Sequence, residues 1–313
     1  MKQIHRIIIG LTMALTVLAV LPAQAQQPSP PLLLTLSSPN GFPIIPVMEG
    51  WTANEDDTVS YSFGTINRNT EGAVDIPLGE RNYIEPARFN GMQPTHFEPG
   101  HSVGVFSVTV PANMTDVDIW WHLISEDGVD LKVPGRSTTA PYELDFILPR
   151  PQGSLQPLAG FGVNGERSFG LLARVEDYSG SVAVDEPATL TVNVLDRSER
   201  DPTDPRFEEP LDVGVNWYLH QGPGSVEFTR HESTPEPEAI DEDSPQARFQ
   251  RRNRGPNRVN VGGPEGIANI IATFSAPGEY ILRTRADTFS GSDSSEGDQC
   301  CWTNVFQRVT VSP

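Results

Sequence analysis

The stretch FSVTV at residues 106–110 decides the fold class, because apolar and polar side chains alternate in it with a period of two. In an extended chain, Phe106, Val108 and Val110 point to one face, and Ser107 and Thr109 point to the other. This pattern is typical of a strand with one buried face. It recurs and predicts further strands at residues 58–64, 117–124, 188–195, 213–220, 279–286 and 305–311.

Turn signals such as Asp127-Gly128 and Pro277-Gly278 separate the predicted strands. The 29 prolines and 27 glycines of the chain also disfavour long helices. We therefore predict an all-β protein of two β-sandwich domains, at residues 31–136 and 141–313. The polar segment at residues 135–140 is expected to join them.

Residues 230–266 interrupt the second domain with five prolines and no periodicity, so we predict a long insertion there. The acidic residues of this segment come first and its arginines follow. The acidic group is Glu236, Glu238, Asp241, Glu242 and Asp243, and the arginines are Arg248, Arg251, Arg252, Arg254 and Arg258. Two interpretations stay open: a mobile, self-neutralising surface loop, or an arginine patch that docks an anionic partner.

The first 25 residues have the pattern of a cleaved secretory signal peptide. Lys2 and Arg6 form its basic start, an apolar core spans residues 7–21, and Ala23-Gln24-Ala25 matches a cleavage site. No later apolar run approaches the roughly 20 residues that a membrane-spanning helix needs. We predict an exported protein of the periplasm, the extracellular space or the cell surface, without a membrane span.

The chain has 22 basic and 41 acidic residues, a formal net charge of −19, and loss of the signal removes two of the basic residues. A field of this sign repels polyanions, so nucleic acid is not an expected partner.

Residues 213–287 carry motifs that resemble immunoglobulin-like modules related to PKD and REJ domains of bacterial secreted proteins. The matching motifs are VNW at 215–217, GPGSVEF at 222–228, ATFSAPGEYILR at 272–283 and Ala286-Asp287. The resemblance implies an immunoglobulin-like sandwich with a role in display, adhesion or spacing. The chain departs from that pattern in its long insertion and in lacking a WDFGDG signature. Motifs such as Gly50-Trp51 and QPTHF at 93–97 make the N-terminal domain similar to uncharacterised exported bacterial proteins, a likeness that implies no activity.

Cys300 and Cys301 are adjacent and are the only cysteines of the chain. Four interpretations stay open for them: a vicinal disulfide, the floor of a ligand site with Trp302 as a stacking residue, a soft-metal thiolate pair, or bridges between chains. Export favours the disulfide, because disulfides persist outside the reducing cytosol.

An acidic turn precedes the cysteines and contains Asp287, Asp293, Glu296 and Asp298. Several oxygen ligands in a flexible loop suit calcium, although such clusters are also common as solvated turns.

His96, His101 and Glu98 could begin a zinc or copper site, although loop histidines at this spacing are usually unliganded. Trp120 and Trp121 are consecutive in a predicted strand and must face opposite ways. We expect one in the core and the other, Trp120, to be available to a partner together with His122 and Ile124.

No nucleophile elbow, zinc-protease helix or phosphate loop occurs in the sequence. We therefore expect a non-catalytic binding or structural module that contacts a protein or glycan through sandwich loops. The predicted contact residues are Cys300, Cys301, Trp302 and Trp120. The alternatives are a secreted hydrolase or accessory subunit acting on a polysaccharide, and a metal-binding periplasmic protein.

Overall fold

The computed structural model describes residues 41–138, 140–144, 153–199, 201, 203, 212–234, 240, 247, 255–288 and 301–313. The predicted signal peptide lies outside these residues, and the domain boundaries stay predictions because residues 31–40 and 145–152 also lie outside them. Residues Phe42–Pro313 form one compact unit. In the part of the chain that the structure describes, no helix is both long and apolar enough to cross a membrane.

Among its described residues, the N-terminal sandwich contains eight strands and three short 3-10 turns. The strands are β1 (Ile45–Ala53), β2 (Val59–Asn67), β3 (Val74–Asp75), β4 (Asn82–Glu85), β5 (His96–Phe97), β6 (Gly100–Val110), β7 (Ile119–Ile124) and β8 (Asp130–Gly135). The 3-10 turns are Ala87–Phe89, Ala112–Met114 and Ala140–Tyr142.

Two antiparallel sheets form this sandwich, in the strand orders β1-β2-β6 and β4-β7-β8, and β3 pairs with β5 beside them. Taken along the chain, the six main strands correspond to strands A, B, C, E, F and G of an immunoglobulin fold. The sheet orders then read A-B-E and C-F-G, which is the immunoglobulin arrangement.

Aromatic rings from both sheets fill the core. Phe63 on β2 stacks on Phe106 of β6 at 5.3 Å between ring centroids, and Trp121 of β7 meets Phe106 edge-on at 5.0 Å. The Trp121 indole nitrogen donates a hydrogen bond to Asn82 Oδ1 at 3.1 Å, so its polar atom is satisfied inside the core. Phe106 lies in this core together with Val108 and Val110, as the alternation of residues 106–110 predicts.

The described part of the C-terminal sandwich contains ten strands. They are β9 (Leu158–Phe161), β10 (Arg174–Asp177), β11 (Val182–Ala183), β12 (Ala188–Leu195), β13 (Gly214–Gln221), β14 (Val226–Arg230), β15 (Arg258–Asn260), β16 (Glu265–Phe274), β17 (Gly278–Asp287) and β18 (Trp302–Ser312). One sheet has the order β14-β16-β12-β9 and the other β10-β18-β17-β13-β15, with β11 also pairing with β18.

The strand order of the C-terminal sandwich is again that of an immunoglobulin fold. With β9, β12, β13, β14, β16, β17 and β18 as strands A to G, the sheets read D-E-B-A and G-F-C. β10 and β11 run parallel to the last strand and extend the second sheet. The prediction of an all-β protein with two immunoglobulin-like sandwiches is confirmed.

The two sandwiches share a buried interface. In β17, Tyr280 and Leu282 point into the core of the C-terminal sandwich, so the residues that alternate with them along the strand face the other way. Phe306 of β18 is fully buried in the N-terminal core, and Ile281 of β17 packs against the same core. Polar contacts continue the interface, since Asn304 Nδ2 donates a hydrogen bond to the Gly104 carbonyl at 2.7 Å. The second sheet of the C-terminal sandwich is therefore covered on both faces.

The predicted insertion at residues 230–266 extends too far in both directions, because residues at both of its ends belong to strands. Arg230 belongs to β14, and Glu265 begins β16. Residues 258–260 form β15, which pairs with β13 and places Val259 in the core. The middle of the segment, with most of its charged residues, lies outside the described residues.

Candidate functional site

Trp302 begins β18 and is only 3% exposed. Its ring lies against Gly104 of the N-terminal sandwich, and the Arg285 guanidinium lies 4.5 Å from the ring centroid. Trp302 thus packs in the interface between the sandwiches and offers no free face to a ligand. The structure does not support the predicted stacking role for Trp302.

Cys301 is fully buried and forms a small apolar cluster with Leu171 and Trp302. It is disulfide-bonded, and its carbonyl accepts a hydrogen bond from the Thr288 amide at 2.9 Å. Cys300 lies outside the described residues, so the vicinal pairing stays a prediction.

Asp287 is buried at the end of β17 and is held by an arginine. Arg258 of β15 donates to both of its carboxylate oxygens, with Nη1 3.1 Å from Oδ2 and Nη2 3.2 Å from Oδ1. Asn216 Nδ2 also donates to Oδ2, at 3.3 Å. A bidentate arginine neutralises this carboxylate, so Asp287 is unsuited to the predicted calcium site. Asp293, Glu296 and Asp298 fall in the undescribed segment 289–300.

Arg258 therefore has a structural role and is not part of a mobile basic patch. The other arginines of the predicted patch, Arg248, Arg251, Arg252 and Arg254, are among the residues that the structure leaves undescribed.

Trp120 lies on the outer face of the β4-β7-β8 sheet, opposite to the buried Trp121, as the alternation predicts. The pairing register brings Glu85 of β4 and Pro134 of β8 beside it. It is half-buried, and Lys132 Nζ lies 5.2 Å from its ring centroid. We call this surface the Trp120 face and define it as Tyr83, Glu85, Trp120, His122, Asp130, Lys132 and Pro134.

His122 belongs to the Trp120 face but is covered by its neighbours. Tyr83 stacks on its ring at 4.4 Å between centroids. Asp130 lies 3.2 Å from Nδ1, and a Glu85 carboxylate oxygen lies 3.4 Å from Nε2. His122 is therefore on the predicted face, but it is not available to a partner.

A shallow depression of about 470 Å³ adjoins the Trp120 face. Tyr83, Glu85, Asn90 and Asp118 line it, so an aromatic ring, two carboxylates and an amide surround one open surface. Such groups can stack on a sugar ring and accept or donate hydrogen bonds to hydroxyl groups.

His96 binds two carboxylates of the N-terminal sandwich. Its Nδ1 lies 2.7 Å from Asp75 Oδ1, and its Nε2 lies 3.2 Å from Glu98 Oε1. Burial lowers the pKa of His96, but the hydrogen bonds to Glu98 and Asp75 outweigh burial and raise the pKa above its usual value.

The structure does not gather the three histidines of this domain into one site. His101 contacts Glu49 at 3.2 Å, away from the partners of His96. Among the described residues, no group of three or more histidine, cysteine or acidic side chains is arranged to hold a metal ion. The predicted zinc or copper site therefore has no support in this part of the chain.

A groove of about 800 Å³ runs between the sandwiches. His96 and Glu98 line it from the N-terminal side, and Tyr218, Phe228 and Asn257 line it from the C-terminal side. The groove could not be predicted from local patterns, because its residues come from strands more than a hundred positions apart. The only signal in the sequence was Tyr218, an aromatic residue next to Trp217, which the structure places in the core of the C-terminal sandwich.

No protein-family model and no curated protein matches this chain. Three solved structures share 10% sequence identity with it: the D0-D1 domain of intimin, domains 4 and 5 of the S-layer protein SbsC, and the collagen adhesin (CNA) from S. aureus. The matches cover 86%, 86% and 88% of this chain and 97%, 98% and 94% of the other chains. Their TM-scores are 0.23, 0.22 and 0.21, so the fold assignment rests on the strand order alone.

Proposed function

We propose that this chain is a non-catalytic, exported binding module that contacts a protein or glycan partner at the cell surface or in the periplasm. The observation that carries the proposal is the Trp120 face, where a half-buried tryptophan lies beside the Glu85 carboxylate on an outer sheet surface. The sequence pattern also indicates Trp120, because it is adjacent to a core tryptophan in a strand and must face the opposite side of the sheet.

Two features of the Trp120 face support a binding role. Aromatic side chains supply contact area at a small cost in conformational entropy, and tryptophan and tyrosine are enriched where partners bind. The adjoining depression adds Asp118 and the Asn90 amide, which suit the hydroxyl groups of a glycan or the backbone of a peptide.

The packing of the two sandwiches against each other also suits display. Phe306 and Ile281 of the C-terminal sandwich pack into the N-terminal core. The Trp120 face therefore belongs to one compact unit. A binding surface on sheets loses less freedom on contact than one on mobile loops.

Trp120→Ala tests this proposal. We expect retention on cell-wall polysaccharide, or affinity for a ligand found on a glycan and surface-protein array, to fall about tenfold or more, as for a central interface residue. The melting temperature should change little, because Trp120 lies outside the core. Tyr142→Ala is the control, since it removes an exposed aromatic ring (53% exposed) from a different place.

Equal retention of the Trp120→Ala variant and the unmodified protein would exclude the Trp120 face as the contact. Equal losses in both variants would show a non-specific effect of exposed aromatic rings.

A further inference from the structure

Arg283 is a buried cation without a counter-ion among the described residues. It lies on β17, faces the N-terminal sandwich and is only 6% exposed. Its Nη1 has no hydrogen-bond partner, and no described carboxylate forms an ion pair with it. An unpaired buried charge is costly, so buried charges in proteins are normally paired with an opposite charge.

The neighbours of Arg283 keep it in place but do not neutralise it. The Tyr218 ring lies under the guanidinium, 4.3 Å from Cζ to the ring centroid. Burial lowers the pKa of Arg283 to about 10, so it remains protonated at neutral pH. His220 lies on the same side of the interface and is neutral at neutral pH, because burial lowers its pKa to about 3.

A cavity of about 50 Å³ opens at Arg283. The hydroxyl-bearing residues Thr65 and Ser102 line it together with Tyr218, His220 and Arg283, and Arg283 Nη1 is a buried donor without a partner there. Glu98 also lines the cavity, but its carboxylate is bonded to His96 at 3.2 Å. The volume suits a small ion or a few water molecules.

We propose that this cavity binds a small monovalent anion, of the size of a halide or a carboxylate group, against Arg283. The anion supplies the missing negative charge, and the Thr65 and Ser102 hydroxyl groups can donate further hydrogen bonds to it. This site is separate from the Trp120 face and does not rest on the proposed function.

The anion has two possible sources. The cavity shares His96, Glu98, Tyr218 and Leu219 with the larger groove between the sandwiches. It can therefore hold a free ion, or it can receive the carboxylate of an acidic sugar whose ring lies in the groove.

Bromide provides the direct test on the unmodified protein. We expect crystals soaked in sodium bromide to show an anomalous peak within hydrogen-bond distance of the Arg283 guanidinium. In solution, bromide and formate should raise the melting temperature in a saturable way at constant ionic strength. A cavity that contains only water, with no anomalous peak and no saturable shift, would overturn the proposal.

Arg283→Met should abolish the saturable shift, and Arg283→Lys should keep part of it. Arg285→Met is the matched control, since Arg285 lies on the same face of the same strand but against Trp302, and its response to bromide should be unchanged. A response that survives Arg283→Met would also contradict the site.

Glucuronate and glucose distinguish the sources. Glucuronate binding that is at least tenfold tighter than formate binding, and is lost in Arg283→Met, identifies an acidic sugar. Binding of formate and bromide without any gain for glucuronate identifies the free ion. Glucose lacks the carboxylate and should not bind at this site in either case.

Discussion

The Trp302 ring lies directly against Gly104, in a contact that only a glycine allows. A Cβ atom on Gly104 would lie 2.9 Å from Cζ2 of the Trp302 ring, and the backbone φ of Gly104 is +56°. The contact joins β6 of the first sandwich to β18 of the second. It explains why Trp302 is buried although its position after two cysteines suggested an accessible ligand floor.

Gly104→Ala should destabilise the protein by about 2 to 4 kcal/mol, because it combines an unfavourable φ with a clash against Trp302. Denaturant unfolding measures this loss. Gly128→Ala is the control, since Gly128 has a φ of +78° but no atom within 4 Å of the position that a Cβ would take. Its loss should be about 1 to 2 kcal/mol, from φ alone. Equal losses at both glycines would contradict a tight Trp302 contact.

Asp287→Ala should destabilise the protein by roughly 3 kcal/mol, because it leaves the Arg258 guanidinium without its buried bidentate partner. The free energy of unfolding of Arg258→Ala should fall by a similar amount, and the double variant should lose less than the sum of both. Asp177→Ala is the control, since its pair with Arg308 is exposed and should contribute about 0 to 1 kcal/mol.

The same Asp287 variant separates the arginine pair from the calcium interpretation. Addition of a chelator should leave the melting temperature unchanged if Arg258 alone neutralises Asp287. A chelator that lowers the melting temperature of the unmodified protein, but not of Asp287→Ala, would restore the calcium site.

His220 should make the protein less stable as the pH falls. Its pKa is about 3 in the folded protein and close to the ordinary 6.5 in the unfolded chain. The unfolded chain therefore takes up a proton as the pH falls below 6.5, while the folded protein does not. Its contribution to stability is complete above pH 6.5 and declines by up to about 1.4 kcal/mol per pH unit towards pH 3.

Comparison with His220→Gln isolates this effect from the many carboxylates. The glutamine amide can still donate to the Met92 carbonyl, which accepts from His220 Nε2 at 2.7 Å. The free energy of unfolding, measured from pH 7 to pH 4, should fall less steeply in the variant. Parallel curves would show that the pKa of His220 is the same in the folded and unfolded protein, and would contradict its burial as a neutral side chain.

The chain should carry no free thiol, because Cys301 is disulfide-bonded. Intact mass after alkylation without reductant should show a monomer with no label and an N-terminus near residue 26. Two labels per chain would return the soft-metal interpretation, and a doubled mass would indicate a bridge between chains. Cys300→Ser should yield one label if the predicted vicinal pair is correct.

The strands with strict alternation could be predicted from the sequence. Residues 188–195 match β12 at both ends, and the FSVTV stretch lies in β6 with its apolar face buried. β16 was not predicted, because alanines fill core positions 268 and 272 while Ile267 and Ile271 lie on the opposite face, which hides the apolar alternation. β15 was missed because its one core residue, Val259, lies between polar residues in a segment without periodicity.

Sequence alone determined that the chain is all-β, that it folds as two sandwiches and that Trp120 and Trp121 face opposite ways. These features follow from local alternation, which acts within a few residues. Only the tertiary structure decided that Trp302, Asp287 and Arg283 are buried. Each is buried because a partner from a distant part of the chain covers it: Gly104, Arg258 and the N-terminal sandwich. Such pairings depend on how the sheets dock, which no local period encodes.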